Sequence, residues 1–462
     1  MRKRTQTIDQ TVRGQKMNER RMHKEICLIS GKDSVVDFWV VLCIVCRLGF
    51  PGILAETYGF LTPLFDYGSC GVELLIMLLA SGDSIWDLRV LDFKKKYGPL
   101  YVMMAAMLAM TFLVTSDVKG ELTTCMRLAV TVLFGLWLAD HYDTGRLLEL
   151  ICNAQGLFVL LNLLLFFVLR KWGFYYDEEG RYLFHGLMNR KNSLGEELAY
   201  GLVLQTASFR IKRRAQETPK PFWWFTLGAQ LFLLVSTKAV GALFTAMVPI
   251  AYLYLHDKMK GRLPRFHWSY IYIVVSVGFL FAALTILPIF SPFLESLGKD
   301  ATLSNRTIMW EEIIPFMLES HTFTGYGMLM FWDNKRALKS LQDRYGRDSW
   351  FRTMSFGSHN TLLEMWLDVG LFGIALYFLM FLYSFRRIRS FSDDQYLACS
   401  AFVLPLMIRG LTERSYTNSS YLTLFLFVML GLACAGSELK LSKYPRRPFL
   451  QTEPSAEEEN KT

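Results

Sequence analysis

Twelve apolar runs, most of them near twenty residues long, constrain this chain more than any other feature. They fall near 34–54, 60–81, 97–115, 121–140, 145–170, 194–209, 222–236, 238–256, 269–290, 361–384, 395–411 and 420–437. The hydrocarbon core of a bilayer is about 30 Å thick, and roughly 20 helical residues cross it. Lipid offers the backbone no hydrogen bonds, so only helices and closed barrels span it, and runs without alternation select helices. Of the 462 residues, 52% are hydrophobic and 15% aromatic, well above the habit of water-soluble chains. The expected fold class is an all-α polytopic membrane protein of about 12 transmembrane helices.

About thirty polar residues, MRKRTQTIDQ through GKDSVV, precede the first run. A cleavable signal peptide carries its apolar segment closer to the start, so the first run is expected to stay as a helix. The eight cysteines form no C-x-x-C pair, and Cys43, Cys46, Cys125, Cys152, Cys399 and Cys434 fall inside apolar runs. They read as small core residues, with no disulfide framework or metal cluster suggested.

Charge sets the expected orientation. With the N-terminus inside, the basic segments FKKK (93–96), RIKRR (210–214), HDKMKGRLPR (256–265), RRIR (386–389) and KYPRR (443–447) all land in the cytoplasm, the positive-inside pattern. The implied plan is a cytoplasmic tail over 1–33, helices one to nine over 34–290, an extracytoplasmic loop over 291–360, helices ten to twelve over 361–437, and a second cytoplasmic tail over 438–462. Both termini are cytoplasmic in this plan. The net charge of +9 then follows from topology and anionic lipid headgroups, and no nucleic-acid partner is needed. Membrane lipids are partners by the same reading. In the long loop, Trp310, Trp332 and Trp350 argue for folded structure, and 333–350 reads as an amphipathic helix with Ala337, Leu338, Leu341 and Tyr345 at helical spacing.

The chemistry-bearing residues gather on the side expected to face outward. HGLMNRKNSLGEELAYG (185–201) sets Arg190, Lys191 and Asn192 before a helix whose first turn presents Glu196 and Glu197. Snorkelling at the interface is the plain alternative for the two cations. STKAVGALFTA (236–246) sets Lys238 between two runs with hardly any loop, where a cation costs up to about 2.5–3.5 kcal/mol at bilayer depth and less near the interface, and a snorkelled lysine is the alternative to a functional one. SNRTIMWEEIIPFM (304–317) reads as a helix capped by Ser304 or Asn305, with Arg306 on its first turn. Such an arginine does not help the helix dipole but joins exposed N–H groups in an anion site; a salt bridge to Glu311 or Glu312 is the ordinary alternative. GSHNTLLEMWLDVGLFGIALYF (357–378) puts Ser358, His359 and Asn360 at a helix start, punctuated by Gly370 and Gly373. Imidazole, with an ordinary pKa of about 6.5, suits proton transfer at neutral pH. RGLTERSYTN (409–418) adds Arg409, Glu413 and Arg414, with Glu413 able to orient His359, to neutralise an arginine, or to form an ordinary ion pair.

In their order, HGLMNRKNSLG, STKAVGAL, NRTIMW, GYG (325–327), SHNTLLEMWLDVGLFG and RGLTE resemble the O-antigen ligase and O-antigen polymerase family of membrane glycosyltransferases of the GT-C type, over roughly residues 180 to 437. The resemblance implies an undecaprenyl-diphosphate-linked oligosaccharide as donor, a lipid-linked glycan or lipid-A core as acceptor, and no nucleotide sugar, metal or other cofactor. It implies a bacterial inner-membrane location with the site facing outward. Arg306 matches the family's loop arginine and His359 the histidine of its His-Asn motif, both active-site residues. Lys238 stands where the family usually has arginine in a Ser-Arg pair, so the charge is kept and bidentate phosphate binding is not. The first five helices match only in number and hydropathy.

A lipid diphosphate is already a good leaving group, so the enzyme must bind it, stabilise developing negative charge and deprotonate a hydroxyl. Arg306 and Lys238 are assigned to the diphosphate, with Arg190 beside them. His359 is assigned to the acceptor as general base or orienting donor. Lys191, Asn192, Asn360, Arg409 and Glu413 complete the candidate binding set. Within the family the reading leans to a polymerase, with ligase as the alternative. A transporter or flippase of lipid-linked oligosaccharides is the competing class.

Overall fold

The computed structural model describes residues 34–49, 61–80, 97–115, 117–177, 180–188, 190–259, 265, 267–292, 303, 306–328, 331–332, 338–339, 343, 357–414 and 421–435. Each of the twelve apolar runs carries a helix. In chain order these are α1 (34–47), α2 (Leu61–Ala80), α3 (Gly98–Val114), α4 (Val118–His141) and α5 (Thr144–Phe167). A one-turn helix α6 (Arg170–Gly173) leads into an antiparallel hairpin, β1 (Phe174–Tyr176) with β2 (Tyr182–Phe184), in which Phe174 faces Phe184. Then come α7 (Lys191–Arg214), α8 (Pro221–Ser236), α9 (Val240–Lys258) and α10 (Trp268–Phe281), the last continuing through a π turn and a 3-10 turn to Phe290. The remainder is α11 (Arg306–Glu319), α12 (Thr361–Ile388), α13 (Asp393–Arg409) and α14 (Tyr421–Ala435).

Four of these helices are long and apolar enough to cross a membrane: α4, α5, α10 with its continuation, and α12. Five more are apolar over shorter stretches, in α2, α3, α8, α9 and α14. Local signals start several of them. Asp143 caps α5 by accepting from the Arg146 N–H, and Pro221 stands at the start of α8, where its missing N–H costs nothing.

The helix α7 is the hub, packing on α5, α8, α9 and α13. Surrounded in this way, it buries polar groups that a lipid-facing helix would not hold, Glu196, Glu197, Gln205 and Ser208 among them. Helix α4 lies along α14, and α12 along α3. A side chain at Gly135 of α4 would begin 3.0 Å from the Leu424 carbonyl of α14, the small-residue approach by which membrane helices pack closely. Between α1 and α2, Arg47 and Glu73 form a buried two-pronged pair, both contacts at 2.7 Å.

The segment after α10 folds onto the bundle. Met309, Trp310, Ile313, Phe316 and Met317 of α11 join Tyr326, Phe331 and Trp332 in an apolar cluster against Leu280 and Ala283 below and Leu363 and Leu367 of α12. Two of the three tryptophans that argued for folded structure are therefore core residues. The amphipathic helix expected over 333–350 lies almost entirely outside the described residues, as do the caps Ser304 and Asn305.

Candidate active site

The N-terminus of α12 is where the candidate residues meet. Asn360 is its N-cap, its side-chain oxygen accepting from the N–H groups of Leu362 and Leu363 at 3.0 and 3.1 Å. Its amide nitrogen donates to the Leu411 carbonyl at 2.9 Å, and Thr361 N–H donates to the Gly410 carbonyl at 2.9 Å, so the start of α12 is tied to the end of α13. Asn360 is buried, with its side chain engaged in these bonds. Ser358 is equally fixed: its N–H donates to Glu364 Oε2 at 2.7 Å, its hydroxyl to the Asn360 carbonyl at 2.9 Å, and its carbonyl accepts from Trp310 Nε1 at 2.8 Å.

Between these locked neighbours His359 takes φ +52°, a left-handed conformation. For a non-glycine residue this costs on the order of 1–3 kcal/mol and persists only where the surroundings enforce it. The imidazole meets Glu413, in the turn that follows α13. Its Nδ1 lies 2.9 Å from Glu413 Oε2. A carboxylate only accepts, so Nδ1 carries the proton, and in the neutral imidazole Nε2 presents a lone pair.

The other oxygen of Glu413 holds Arg306, the first residue of α11, at 2.5 Å from Nη2. One carboxylate thus bridges histidine and arginine from residues 359 and 306. Burial would raise the Glu413 pKa, but the His359 hydrogen bond and the charges of Arg306 and Arg409 outweigh it and leave the carboxyl below its ordinary range. It is ionised at neutral pH. The main chain beneath is fixed, Glu413 N–H donating to the Arg409 carbonyl and its own carbonyl accepting from Thr361 Oγ1, both at 2.9 Å.

The salt bridge expected as the ordinary alternative for Arg306, to Glu311 or Glu312 on its own helix, is replaced by this long-range one. Arg409 lies deeper, 2.6 Å from Glu196 and donating to the Tyr421 hydroxyl at 2.6 Å. The expected first-turn placement of Glu196 and Glu197 is corrected. Helix α7 already begins at Lys191, so both glutamates fall in its second turn, buried within the hub.

Lys238 sits in the tight turn between α8 and α9, exposed, with φ +55°. The turn abuts α7, since a side chain at Gly195 would begin 2.9 Å from Ala239 and 3.0 Å from Thr237 Oγ1. Lys238 therefore stands at the same end of the bundle as Glu196, without a described hydrogen bond or ion pair to the Glu413 cluster. Arg190 occupies the N-cap position of α7 without a side-chain cap; Lys191 and Asn192 are its first helical residues, and Arg190 and Asn192 are exposed.

Sequence reasoning missed Glu364 and Tyr421. Glu364 is buried one turn into α12 and accepts from Ser358 N–H and Trp332 Nε1, with Arg414 at 3.6 Å. A carboxylate four residues past an asparagine N-cap was the signal available. The GYG motif also gains a role. Gly370 (φ +65°) breaks α12, and the freed groups are taken up by 322–327: Tyr326 and Gly327 N–H donate to the Leu367 and Asp368 carbonyls, while Leu371 and Phe372 N–H donate to Thr322 and Phe323. A side chain at Gly325 or Gly370 would overlap the partner backbone at 2.6 and 2.3 Å. Gly373, by contrast, stays helical.

No curated protein matches the chain. Residues 224–378 match the O-antigen ligase family, a stretch that contains Lys238, Arg306, the GYG segment and His359, with Glu413 beyond its end. With helices of membrane-crossing length on both sides of the site, this chain is a membrane protein whose residues 224–378 are similar to the O-antigen ligase family.

Proposed function

We propose that the protein transfers glycan from undecaprenyl diphosphate at the outer face of the bacterial cytoplasmic membrane, with His359 as general base and Arg306 on the donor diphosphate. One observation carries the reading: a single carboxylate, Glu413, holds an imidazole and a guanidinium side by side. An acceptor hydroxyl attacks the anomeric carbon opposite the lipid, and its proton passes to His359 Nε2. The carbon–oxygen bond to the diphosphate breaks, and the electron pair leaves on the lipid diphosphate. The anomeric carbon inverts. Glu413 supports the imidazolium as it forms, and Arg306 offsets the charge gathering on the leaving group. Lys238 and Arg190 add positive charge at the same end.

The proposed topology has about twelve crossings, both termini cytoplasmic and the site outward, on the strength of the basic segments in the sequence. The acceptor we propose is a second lipid-linked repeat unit, which makes the protein a surface-polysaccharide polymerase. Transfer to a lipid-A core is the second reading, favoured by the description of the matched family. The broken helix α12 is the feature that favours a transporter instead.

Incubating the purified protein with lipid-diphosphate oligosaccharide separates these. Longer chains mean polymerisation, transfer to added lipid-A core means ligation, and an intact donor means transport. The activity is expected to survive a metal chelator. His359→Ala should abolish transfer while the protein still folds and inserts; normal product from that variant refutes the assignment.

A further inference from the structure

Arg306 is an odd anion site, because it is already occupied. Glu413 Oε1 sits 2.5 Å from its Nη2. The three arginines at this end differ in how firmly their partners are committed. Arg409 is buried between Glu196 and Tyr421, and Arg414 faces Glu364, a carboxylate that also accepts from Ser358 and Trp332. Glu413 alone among these partners divides its two oxygens between Arg306 and the candidate base His359. It can leave the arginine and keep the histidine. Its main chain is pinned by Thr361 and Arg409, so only side-chain torsions need turn. The side chains of Arg306 and Glu413 are 19% and 18% exposed, so neither is sealed from its surroundings.

We propose that Glu413 is a built-in stand-in for the donor diphosphate: it closes Arg306 in the empty enzyme and is displaced onto His359 alone when the lipid diphosphate binds. The proposal rests on the donor assignment above and adds a coupling to it. A glycosyl diphosphate ester carries two negative charges over two phosphoryl groups, and guanidinium binds phosphoryl oxygens two at a time. It therefore outcompetes a single carboxylate that touches one guanidinium nitrogen. Once released, the carboxylate's charge serves only the imidazolium that forms as the acceptor proton is taken. Donor binding in this way prepares the base, and an empty site holds Arg306 away from other anions. Glu413 is a positioning residue with opposite effects on binding and on chemistry.

The test is binding of farnesyl diphosphate to the full-length protein in nanodiscs, with transfer kinetics beside it. Glu413→Gln should bind the probe roughly tenfold tighter, the scale of one lost competing charge pair, while kcat falls on the order of a hundredfold or more. Glu413→Asp, one methylene shorter, cannot span both partners and should bind more tightly than the native protein as well, which keeps the test open if the glutamine variant folds poorly. Arg306→Ala should weaken binding at least tenfold in every background. If Arg306→Ala weakens binding and neither Glu413 variant tightens it, the stand-in is refuted and the donor site survives. If Arg306→Ala leaves binding unchanged, the donor assignment itself falls, and the stand-in with it.

Discussion

Among the described residues, the two ends of the helix bundle use their charges in different ways. At the end away from the site, Arg214 meets Asp394 at 2.8 Å and Arg265 meets Asp393 at 2.7 Å, with carboxylates 46% and 58% exposed. Both are surface ion pairs, of a kind worth about 0–1 kcal/mol, and Arg265 Nη1 also donates to the Arg389 and Phe391 carbonyls at 2.7 Å. At the site end Glu196 and Glu413 are only 7% and 18% exposed. Taking charges out of water is costly unless partners satisfy them, and such clusters are weak devices for stability. The difference separates charges that a helix end tolerates from charges the fold goes to some length to assemble. Only the second kind is joined to a histidine held in a left-handed backbone conformation.

That contrast is most exposed to attack through the apolar cluster beneath His359. Trp310 is wholly buried and its Nε1 holds the Ser358 carbonyl, so it fixes both the packing of α11 and the backbone before the histidine. Trp310→Ala should cost about 3–5 kcal/mol by cavity formation and take transfer with it. Trp310→Phe fills most of the space and loses only the hydrogen bond. Thermal unfolding of the purified variants, read beside transfer rates, checks both. If Trp310→Ala proves as mild as a surface change, the loop is not what builds the site.

The helices were legible because a bilayer admits so few solutions: a run of about twenty apolar residues leaves the backbone little but α-helix. Arg306, His359 and Glu413 also stood out as candidates, since each is a charged or titratable residue at a helix end. Their partnership was not legible. Arg306 and Glu413 are 107 positions apart and His359 and Glu413 are 54 apart, and no periodicity links such distances. The alternatives open to Glu413, orienting the histidine or neutralising an arginine, turn out to be one arrangement. Lys238 fared differently. Its charge and its tight turn were evident, but whether it approaches Arg306 depends on how α8 and α9 lie against α7, which local sequence does not carry. The break at Gly370 looked like punctuation in one helix and is half of a backbone pairing with Thr322–Gly327, visible only once both strands of that pairing are adjacent.

Acid sharpens the comparison at smaller amplitude. Because the folded protein holds the Glu413 carboxyl below its ordinary pKa, the ionised pair adds stability that is complete above the unfolded value near 4.3, and that stability drains away as pH falls through the lower folded value. The stability gap between the native protein and Glu413→Gln should therefore shrink as pH falls below about 4. Melting curves from about pH 5 downward decide it. A gap that widens below about pH 4 has the wrong sign for a depressed carboxylate.

The smallest effect is expected at the far end, and it is the control on which the comparison depends. Arg214 and Asp394 join α7 to α13, the same two helices that Glu196 and Arg409 join at the site end. Removing either far-end partner leaves the other in contact with water, so Arg214→Ala, Asp394→Ala and the double variant should each fall within about 1 kcal/mol of the native stability. The coupling from the double-mutant cycle should be a few tenths of that, and transfer should be unchanged. Removing Arg409 instead strands the buried Glu196, and the same pair of helices should then lose about 3–5 kcal/mol. If the two ends respond alike, burial does not distinguish them, and the site-end cluster is only another set of ion pairs between neighbouring helices.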